Sequence, residues 1–479
     1  MDQMLGTLAY GSFGTVLFVG GFFLLEEPAP FGGDRSWATV KRVLAGSRFR
    51  RPEHALYALF MLWIFFRGTA KAVQASARFA TLPAAYAPGG PLTHGYPSAT
   101  APGTVGWWLH GAAIDLSDTQ WRQFRDNLPL LLLAVGAFLG GRRMLPRGKR
   151  GSHIGYNILG GLGASLVLYG AKTAFVLALL LLNYAVAKAA GGLKRAPLLI
   201  WAVNMAILVS NELHDGYRWA TLSSSLRVLD GDAYNGLLRW HVAFNLSTLR
   251  MISFALDYHW AVQSGKAVAS GLLSGAPKGP SSSQKQAGKA RSKLRLQAES
   301  PLPKEDYSLG AYLSYALYFP LLLAGPVISF NAFSAQLRDN VKGTSSARER
   351  RAATDTAFGY GMRLLLVFVS LELMSRCIYS WGIMSTEVGQ RFFKTVLISD
   401  LEAALYLHFY SLKLIYLKFV AIWRFFRLVA MLDGIVTPEN LPKDITAQYS
   451  ILGFWRHWHQ SFNVWLIRYL YVPLGGRGR

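Results

Sequence analysis

Apolar stretches of 10 to 25 residues alternate with polar and basic segments along this 479-residue chain. They lie near residues 5–25, 54–66, 128–139, 154–169, 173–187, 198–210, 307–330, 364–373 and 403–420. A helix needs roughly 20 mostly apolar residues to cross a bilayer. Several of these stretches are shorter, or charge interrupts them, which favours helices buried in a bundle or re-entrant pieces. We therefore predict an all-α, multi-pass integral membrane bundle of about nine spanning or re-entrant helices.

One segment breaks this pattern. Residues 263–306 include SGAPKGPSSSQKQAGKARSK, which is rich in Ser, Gly, Pro, Ala and Lys and has no aromatic residue. Such a composition buries too little apolar surface to offset the entropy lost on ordering. We predict a disordered, basic, cytosolic linker at 263–306. It would separate an N-terminal helix set (1–262) from a C-terminal set (307–479), both packed in one membrane domain.

The composition supports a membrane location. Hydrophobic residues make up 52% of the chain and charged residues 16%, whereas soluble domains carry about 25% charged residues. The formal charge is +24, and the excess lies in loops such as 35–51 and 142–150. This is typical of positive-inside topology and of attraction to anionic membrane lipids. No nucleic-acid-binding pattern accompanies the charge. The single cysteine, Cys377, excludes disulfides and Cys-based metal sites within one chain.

Ionisable and amide side chains also occur inside the apolar stretches, where they cost several kcal/mol unless paired or solvated. Asn245, Arg250 and Asp257 fall within one such region. The wider group also includes His259, Glu372, Arg376 and Lys413. Two interpretations remain open at this point: interhelical ion pairs with interfacial anchors, or a water-accessible binding or reaction cavity.

The last segment, residues 454–476 (FWRHWHQSFNVWLIRYLYVPLGG), combines aromatic and polar residues most densely. At 100° per residue a continuous helix would place its aromatics on one stripe. That stripe would contain Trp455, Trp458, Phe462, Trp465 and Tyr469. Arg456, His459 and Asn463 would share the adjoining face, with His459 and Asn463 as i, i+4 neighbours. The pattern fits an interfacial belt with a wet side, or a cavity wall that offers a proton acceptor, an amide and a cation.

Several blocks resemble the membrane-bound O-acyltransferase family, in the branch that holds the yeast-type glycerol uptake proteins and Hedgehog acyltransferase. The terminal segment is similar to the family signature. Residues 315–330 (YALYFPLLLAGPVISF) resemble a leucine-rich helix that ends in Ala-Gly-Pro. Residues 423–435 (WRFFRLVAMLDGI), followed by Pro-Glu-Asn at 438–440, are also similar. So are 115–125 and 248–260, and the resemblance covers most of the chain from about residue 110.

This resemblance implies an endoplasmic reticulum enzyme that moves a long acyl group from acyl-CoA, as co-substrate, to a hydroxyl or amine without another cofactor. In the family two polar positions face a tunnel, and the first matches His459. That residue would orient the thioester or stabilise its oxyanion, or act as a base. The second position, a downstream histidine, has no counterpart before Arg479. We therefore expect a C-terminally incomplete and inactive chain. Arg456, Asn463, Trp455, Trp458, Arg468, Asn245, Arg250 and Asp257 are the expected tunnel-lining residues.

The branch does not fix the acceptor. Hedgehog acyltransferase carries Asp at the position of His459, so the histidine favours the uptake-protein side and a lipid hydroxyl, such as that of a lyso-glycosylphosphatidylinositol anchor. Two alternatives stay open. One is a transporter for glycerol or another polyol, or an accessory to one. The other is a non-catalytic paralogue that binds lipid through the first half of the site.

Overall fold

The computed structural model covers the whole chain, and it describes residues 52–87, 90–94, 113–146, 148–269, 289–343, 347–448 and 450–476. The predicted first helix at 5–25, the basic loop at 35–51 and residues 270–288 of the predicted linker lie outside the described residues. The described part is almost entirely helical, as predicted.

The helices take the following bounds. In the first half of the chain they are α1 (Pro52–Phe79), α2 (Thr119–Asp126), α3 (Leu128–Met144), α4 (Arg150–Tyr169), α5 (Thr173–Ala190), α6 (Ala196–Leu213) and α7 (Trp240–Ala269). In the second half they are α8 (Lys289–Glu299), α9 (Leu309–Ala316), α10 (Phe319–Leu322), α11 (Phe330–Lys342), α12 (Ala347–Cys377), α13 (Ser380–Ser385), α14 (Glu387–Ser399), α15 (Leu401–Leu432), α16 (Ile451–His457) and α17 (Gln460–Leu466). A short π-helix, Ile467–Tyr471, continues α17. Two three-residue strands, β1 (Leu92–His94) and β2 (Ala113–Asp115), pair antiparallel with Leu92 opposite Asp115.

Three described helices are long and apolar enough to cross a membrane: Thr173–Ala190, Ala196–Leu213 and Thr354–Cys377. The pair α2 and α3, bent by 54°, would add a fourth if it forms one span. Large apolar side chains on these helices point outward; Leu198, for example, is 69% exposed. Such surfaces are what lipid would cover. A membrane helical protein is therefore supported, and the count of about nine spans stays a prediction.

The described chain forms two compact units that interleave along the sequence, whereas the composition predicted two consecutive helix sets. The described residues of the first unit fall within Met1–Leu132, Phe358–Arg424 and Pro442–Phe454. Within it β2 is tied to α13, because Asp115 accepts a hydrogen bond of 2.8 Å from the backbone N–H of Gly382. Ser117 donates to the same carboxylate. Burial raises the pKa of Asp115 to about 6, although the donors from Ser117 and Gly382 act in the opposite direction.

The second unit comprises Leu133–Ala357, Phe425–Leu441 and Trp455–Arg479. Helix α7 lies against α5 and α6, and α4, α9 and α11 complete the bundle. Its core is aromatic: the ring of Phe254 lies 4.4 Å from that of Tyr312 and 4.9 Å from that of Phe330. Close ring contacts of this kind add to the stabilisation from burial alone. Helix α7 is thus the element around which this unit is organised.

Two sequence-based boundaries need correction. The predicted linker is too long at both ends, because α7 continues to Ala269 and α8 occupies Lys289–Glu299. Beyond α8, Asp306 is buried and pairs with Arg150 and Arg338. The basic stretch at 142–150 is not simply a charged loop either. Arg142 donates twice to Asp433, at 2.7 and 2.9 Å, and Asp433 also accepts from the Tyr318 hydroxyl.

Candidate functional site

The terminal segment is not one continuous helix, and this overturns the helical stripe predicted for it. Helix α16 ends at His457, and α17 begins at Gln460. Between them His459 adopts φ 48° and ψ 50°, the left-handed conformation. Among the described residues only Asp215 shares a positive φ without being glycine. That conformation costs an L-residue roughly 1–2 kcal/mol, so the surrounding contacts must impose it.

The loop before this segment supplies one of those contacts. The backbone N–H of Gln460 donates to the backbone carbonyl of Asn440 at 2.8 Å, and the Ser461 hydroxyl donates to the Asn440 side-chain oxygen. Glu439 fixes the same loop, because it accepts from Arg427 at 2.9 Å and from the Asn440 backbone N–H at 3.2 Å. The Pro-Glu-Asn motif therefore anchors the turn that presents His459.

A second segment meets the same turn from the other side. The Ser461 hydroxyl also accepts a 2.8 Å hydrogen bond from the backbone N–H of Val327. Val327 follows the Ala-Gly-Pro motif, in which Gly325 has φ +123° and lies against Phe426. Residues 323–325 are half-buried and Val327 is also half-buried, so this stretch remains partly accessible beside the turn. Blocks that are more than a hundred residues apart in the sequence thus converge on His459.

The imidazole of His459 lies over the ring of Phe462, with the ring centroids 5.5 Å apart. The residue is half-buried and lies outside the four candidate membrane spans. Burial lowers the pKa of His459 to about 4. The side chain is therefore neutral near pH 7, so one ring nitrogen can accept a proton while the other can donate a hydrogen bond.

Beyond α17, the chain is fastened to α7 through Asp257. The Asp257 carboxylate accepts a 2.8 Å bond from Arg468 and 3.1 Å bonds from the Tyr469 hydroxyl. It also accepts from the backbone N–H of Asn331 at 3.1 Å, in the first turn of α11, where the helix dipole favours an anion. The consecutive residues Arg468 and Tyr469 both reach it from the π-helix, a feature that is frequent near functional sites.

Ser253, one turn before Asp257, completes this attachment. Its hydroxyl accepts from the backbone N–H of Phe330 at 3.0 Å and lies 2.8 Å from the Tyr469 hydroxyl. Trp465 donates to the carbonyl of Leu249 at 3.1 Å. Asp257 and Arg468 were both predicted to line a tunnel, and the structure places them together as an ion pair that holds the terminal segment in place.

Arg250 has a different environment. It donates to the carbonyl of Ala316 at 2.7 Å and to that of Leu321. The Ala316 carbonyl belongs to the last residue of α9, and the Leu321 carbonyl lies in the short helix α10, one residue before its end. Pro320 has no N–H to give to Ala316, four residues earlier. Gly325 lies four residues after Leu321, and its φ is +123°. Arg250 therefore occupies two carbonyls that a continuous helix would have satisfied.

The other predicted lining residues are dispersed. Trp455 is 60% exposed, Arg456 is exposed and Trp458 is half-buried. Asn463 donates to the Trp455 carbonyl at 3.4 Å, and its backbone N–H donates to the carbonyl of His459. The Asn245 side-chain oxygen is buried and has no hydrogen-bond partner within the described part of the chain.

Within the first unit, the predicted polar residues form ion pairs. Arg125 and Arg376 donate to Glu372, at 3.1 and 2.8 Å. Lys413 pairs with Asp444. The Arg125–Glu372 pair joins α2 to α12, the Arg376–Glu372 pair lies within α12, and Asp444 is a loop residue, so these side chains take part in ion pairs of three different kinds. Among the described residues, no group of three or more His, Cys, Asp or Glu side chains is placed to hold a metal ion.

The sequence alone did not identify Ser461, Asn440, Ser253 or Tyr469 as parts of this arrangement. All four side chains are buried and form hydrogen bonds between segments that are far apart in the chain. The available signal was the Pro-Glu-Asn motif, whose polar residues follow an apolar helix.

The comparisons with known proteins agree with this convergence of motifs. The model of the membrane-bound O-acyltransferase family matches residues 196–479, more than half of the chain. The chain belongs to this family. The matched region contains Arg250, Asp257, the Ala-Gly-Pro and Pro-Glu-Asn motifs and His459. The predicted family assignment is therefore confirmed.

Individual relatives fall in the predicted branch. The chain is 31% identical to membrane-bound O-acyltransferase gup1 of Schizosaccharomyces pombe, over 77% of this chain and 60% of the relative. It is 32% identical to membrane-bound O-acyltransferase GUP1 of Saccharomyces cerevisiae, over 77% of this chain and 62% of the relative. Protein-cysteine N-palmitoyltransferase HHAT of Mus musculus is 29% identical over 37% of this chain and 34% of its own length. The chain thus spans about three fifths of the first two relatives.

Proposed function

We propose that this protein transfers a long-chain acyl group from acyl-CoA to a lipid hydroxyl at the endoplasmic reticulum membrane. The observation that carries the proposal is the left-handed turn at His459. Buried polar contacts from the Pro-Glu-Asn loop and from Val327 hold this turn in a conformation that costs free energy. Strain of this kind persists where the surroundings over-determine it, and it clusters at functional sites.

The proposed acyl transfer requires a histidine side chain that is neutral. The acceptor hydroxyl oxygen attacks the thioester carbonyl, a C–O bond forms and the C–S bond breaks. The proton lost by the hydroxyl is transferred to the leaving thiolate, so coenzyme A leaves as the thiol. A hydroxyl is a weak nucleophile near neutral pH, so a positioned base accelerates its attack. A hydrogen-bond donor aimed at the carbonyl oxygen stabilises the developing oxyanion. The neutral imidazole of His459 can serve in either role, and we propose the second as its main one.

The acceptor is proposed from the branch. The fungal relatives are named O-acyltransferases, and the mouse relative is named for N-palmitoylation of cysteine. The greater coverage of the fungal proteins supports an oxygen acceptor. A lyso-glycosylphosphatidylinositol anchor is the specific acceptor we propose, and long-chain acyl-CoA is the donor.

Membranes that carry the full-length protein provide the direct test. Labelled palmitoyl-CoA is supplied with a lyso-glycosylphosphatidylinositol or a lysophospholipid, and the acylated lipid is measured. We expect transfer by the wild type and a loss of at least a hundredfold in His459→Ala. His214→Asn is the matched control, because His214 is exposed and lies outside the site. If the correctly folded wild-type protein transfers no more acyl group than membranes that lack it, the proposal is wrong.

A further inference from the structure

Arg250 is a cation in the interior of the second unit without an acidic partner. Across the described residues, no carboxylate lies within ion-pair distance of its guanidinium, and the two contacts it makes are to the neutral carbonyls of Ala316 and Leu321. Its electrostatic neighbours are the phenols of Tyr169 and Tyr315, which are uncharged near pH 7. An isolated buried charge costs several kcal/mol even after relaxation, so an anion supplied from outside the chain would stabilise this site.

The guanidinium also has hydrogen-bonding capacity to spare. Arginine has five N–H donors, and Arg250 uses two of them on carbonyls. Beside it, the hydroxyl of Tyr169 is buried and has no hydrogen-bond partner among the residues that the structure describes, although the residue is only 1% exposed. A buried hydroxyl left unsatisfied costs about 1–3 kcal/mol. A ligand with several acceptor oxygens would satisfy both groups.

Part of Arg250 is accessible. The residue is half-buried, while Ala316, Leu321 and Tyr169 around it are all buried. The partly accessible stretch 323–325 begins two residues after Leu321 and leads to Val327, which donates to Ser461 at the His459 turn. The same short segment therefore connects Arg250 to the proposed reaction site.

We propose that Arg250, assisted by the Tyr169 hydroxyl, binds a phosphate group of a substrate. Phosphate presents three or four acceptor oxygens to a planar guanidinium, which is why arginine is favoured at such sites. This proposal depends on the proposed acyl transfer in one respect: it assumes that the bound phosphate belongs to a substrate of that reaction. The phosphate belongs either to the acyl-CoA donor or to a phospholipid acceptor, and binding measurements can separate these two sources.

The test measures binding to the purified full-length protein in neutral detergent by thermal shift and by titration. Three probes are used: oleoyl lysophosphatidic acid, monoolein with the same chain and no phosphate, and coenzyme A. For the wild type we expect at least tenfold tighter binding of one phosphate-bearing probe than of monoolein. Arg250→Gln should lose that preference, and Arg250→Lys should keep part of it. Loss on lysophosphatidic acid assigns the phosphate to the acceptor, whereas loss on coenzyme A assigns it to the donor.

Two further variants test this conclusion independently of Arg250. Arg227→Gln removes one positive charge from an exposed loop, and its phosphate preference should stay unchanged. Tyr169→Phe removes an unsatisfied buried hydroxyl without changing the charge, so the melting temperature should not fall while the preference for phosphate declines about threefold. If Arg250→Gln does not fold, Tyr169→Phe decides the question.

Equal phosphate preference in wild type and folded Arg250→Gln overturns the proposal. A folded Tyr169→Phe with undiminished preference does the same, because Arg250 would then act only as a cap for the broken helix. A wild type that binds phosphate-bearing probes no better than monoolein also overturns it. None of these results depends on acyl transfer, so failure here is distinct from failure of the proposed function.

Discussion

The left-handed turn at His459 makes a prediction in which stability and activity move in opposite directions. Glycine adopts a positive φ without the steric penalty of roughly 1–2 kcal/mol that an L-residue pays. It also gives the unfolded chain more freedom, which costs about 0.5–1 kcal/mol. His459→Gly should therefore be more stable than His459→Ala by about 0.5–1 kcal/mol, with His459→Asn between them because Asn tolerates this conformation. The alanine and glycine variants both lose the contact with Phe462, so that loss does not contribute to the difference between them.

Thermal unfolding in detergent should show this order as a difference of about 1–2 °C between the glycine and alanine variants, since a given free-energy change moves the melting temperature less in larger proteins. Val464 is the matched control, because it lies in the interior of α17 and its side chain is 51% exposed. There Val464→Ala should be more stable than Val464→Gly, as in any helix. If the order of stability of the alanine and glycine variants is reversed between positions 459 and 464, the backbone conformation at His459 causes the difference.

Acyl transfer measured on the same variants completes the test. All three substitutions at His459 should lose at least a hundredfold in transfer, including the glycine variant that is the most stable of them. If His459→Ala proves more stable than His459→Gly, the turn is not left-handed and the strain reasoning is wrong. If the glycine variant keeps its activity, the imidazole has no role in transfer.

Three further predictions follow from the contacts described above. Asp257→Ala should destabilise the protein by about 3–5 kcal/mol, because it leaves the Arg468 guanidinium buried without its partner. The double variant that combines Asp257→Ala with Arg468→Met should recover part of the lost melting temperature. No recovery would contradict the pairing. Burial raises the pKa of Asp115 to about 6, above its value in the unfolded chain. The stability that Asp115 contributes is therefore complete below about pH 4 and is lost as the pH rises to 6. Melting temperatures measured from pH 4 to 7 should fall accordingly, and Asp115→Asn should reduce this pH dependence. Burial lowers the pKa of His459 to about 4, so transfer should stay level between pH 5 and 7, and an acid limb near pH 6.5 would refute this.

The sequence was sufficient for the helical, membrane-type architecture because the length and spacing of apolar stretches reflect burial directly. The sequence also singled out His459 through a recognisable motif, and the role of that residue stays a prediction. The sequence did not predict the left-handed conformation of His459. Trp458, His459 and Gln460 include no glycine or proline, and the break arises because the carbonyl of Asn440, from a distant loop, takes the Gln460 N–H. A tertiary contact of that kind leaves no local mark on the pattern.

For a similar reason, the sequence did not predict which charged residues pair with each other. Asp257 and Arg468 were both recognised as unusual, but they are 211 residues apart, and nothing in their local context shows that they neutralise each other. Arg142 and Asp433 are 291 residues apart and pair in the same way. A buried charge in a sequence is therefore ambiguous until its partner is known, and the informative residues are those that remain unpaired once the fold is assembled.

Helix α7 shows how this distinction separates structure from function. Arg250 and Asp257 are seven residues apart, so they lie on nearly the same face of the helix, about 10 Å apart along its axis. The terminal segment brings Arg468 to Asp257, and that carboxylate becomes an anchor. In the described part of the chain no acid pairs with Arg250, and its contacts are to a broken helix that leads to the His459 turn. The Asp257 attachment therefore holds the segment that follows the His459 turn, whereas Arg250, two turns earlier on α7, is the cation for which we propose a phosphate ligand.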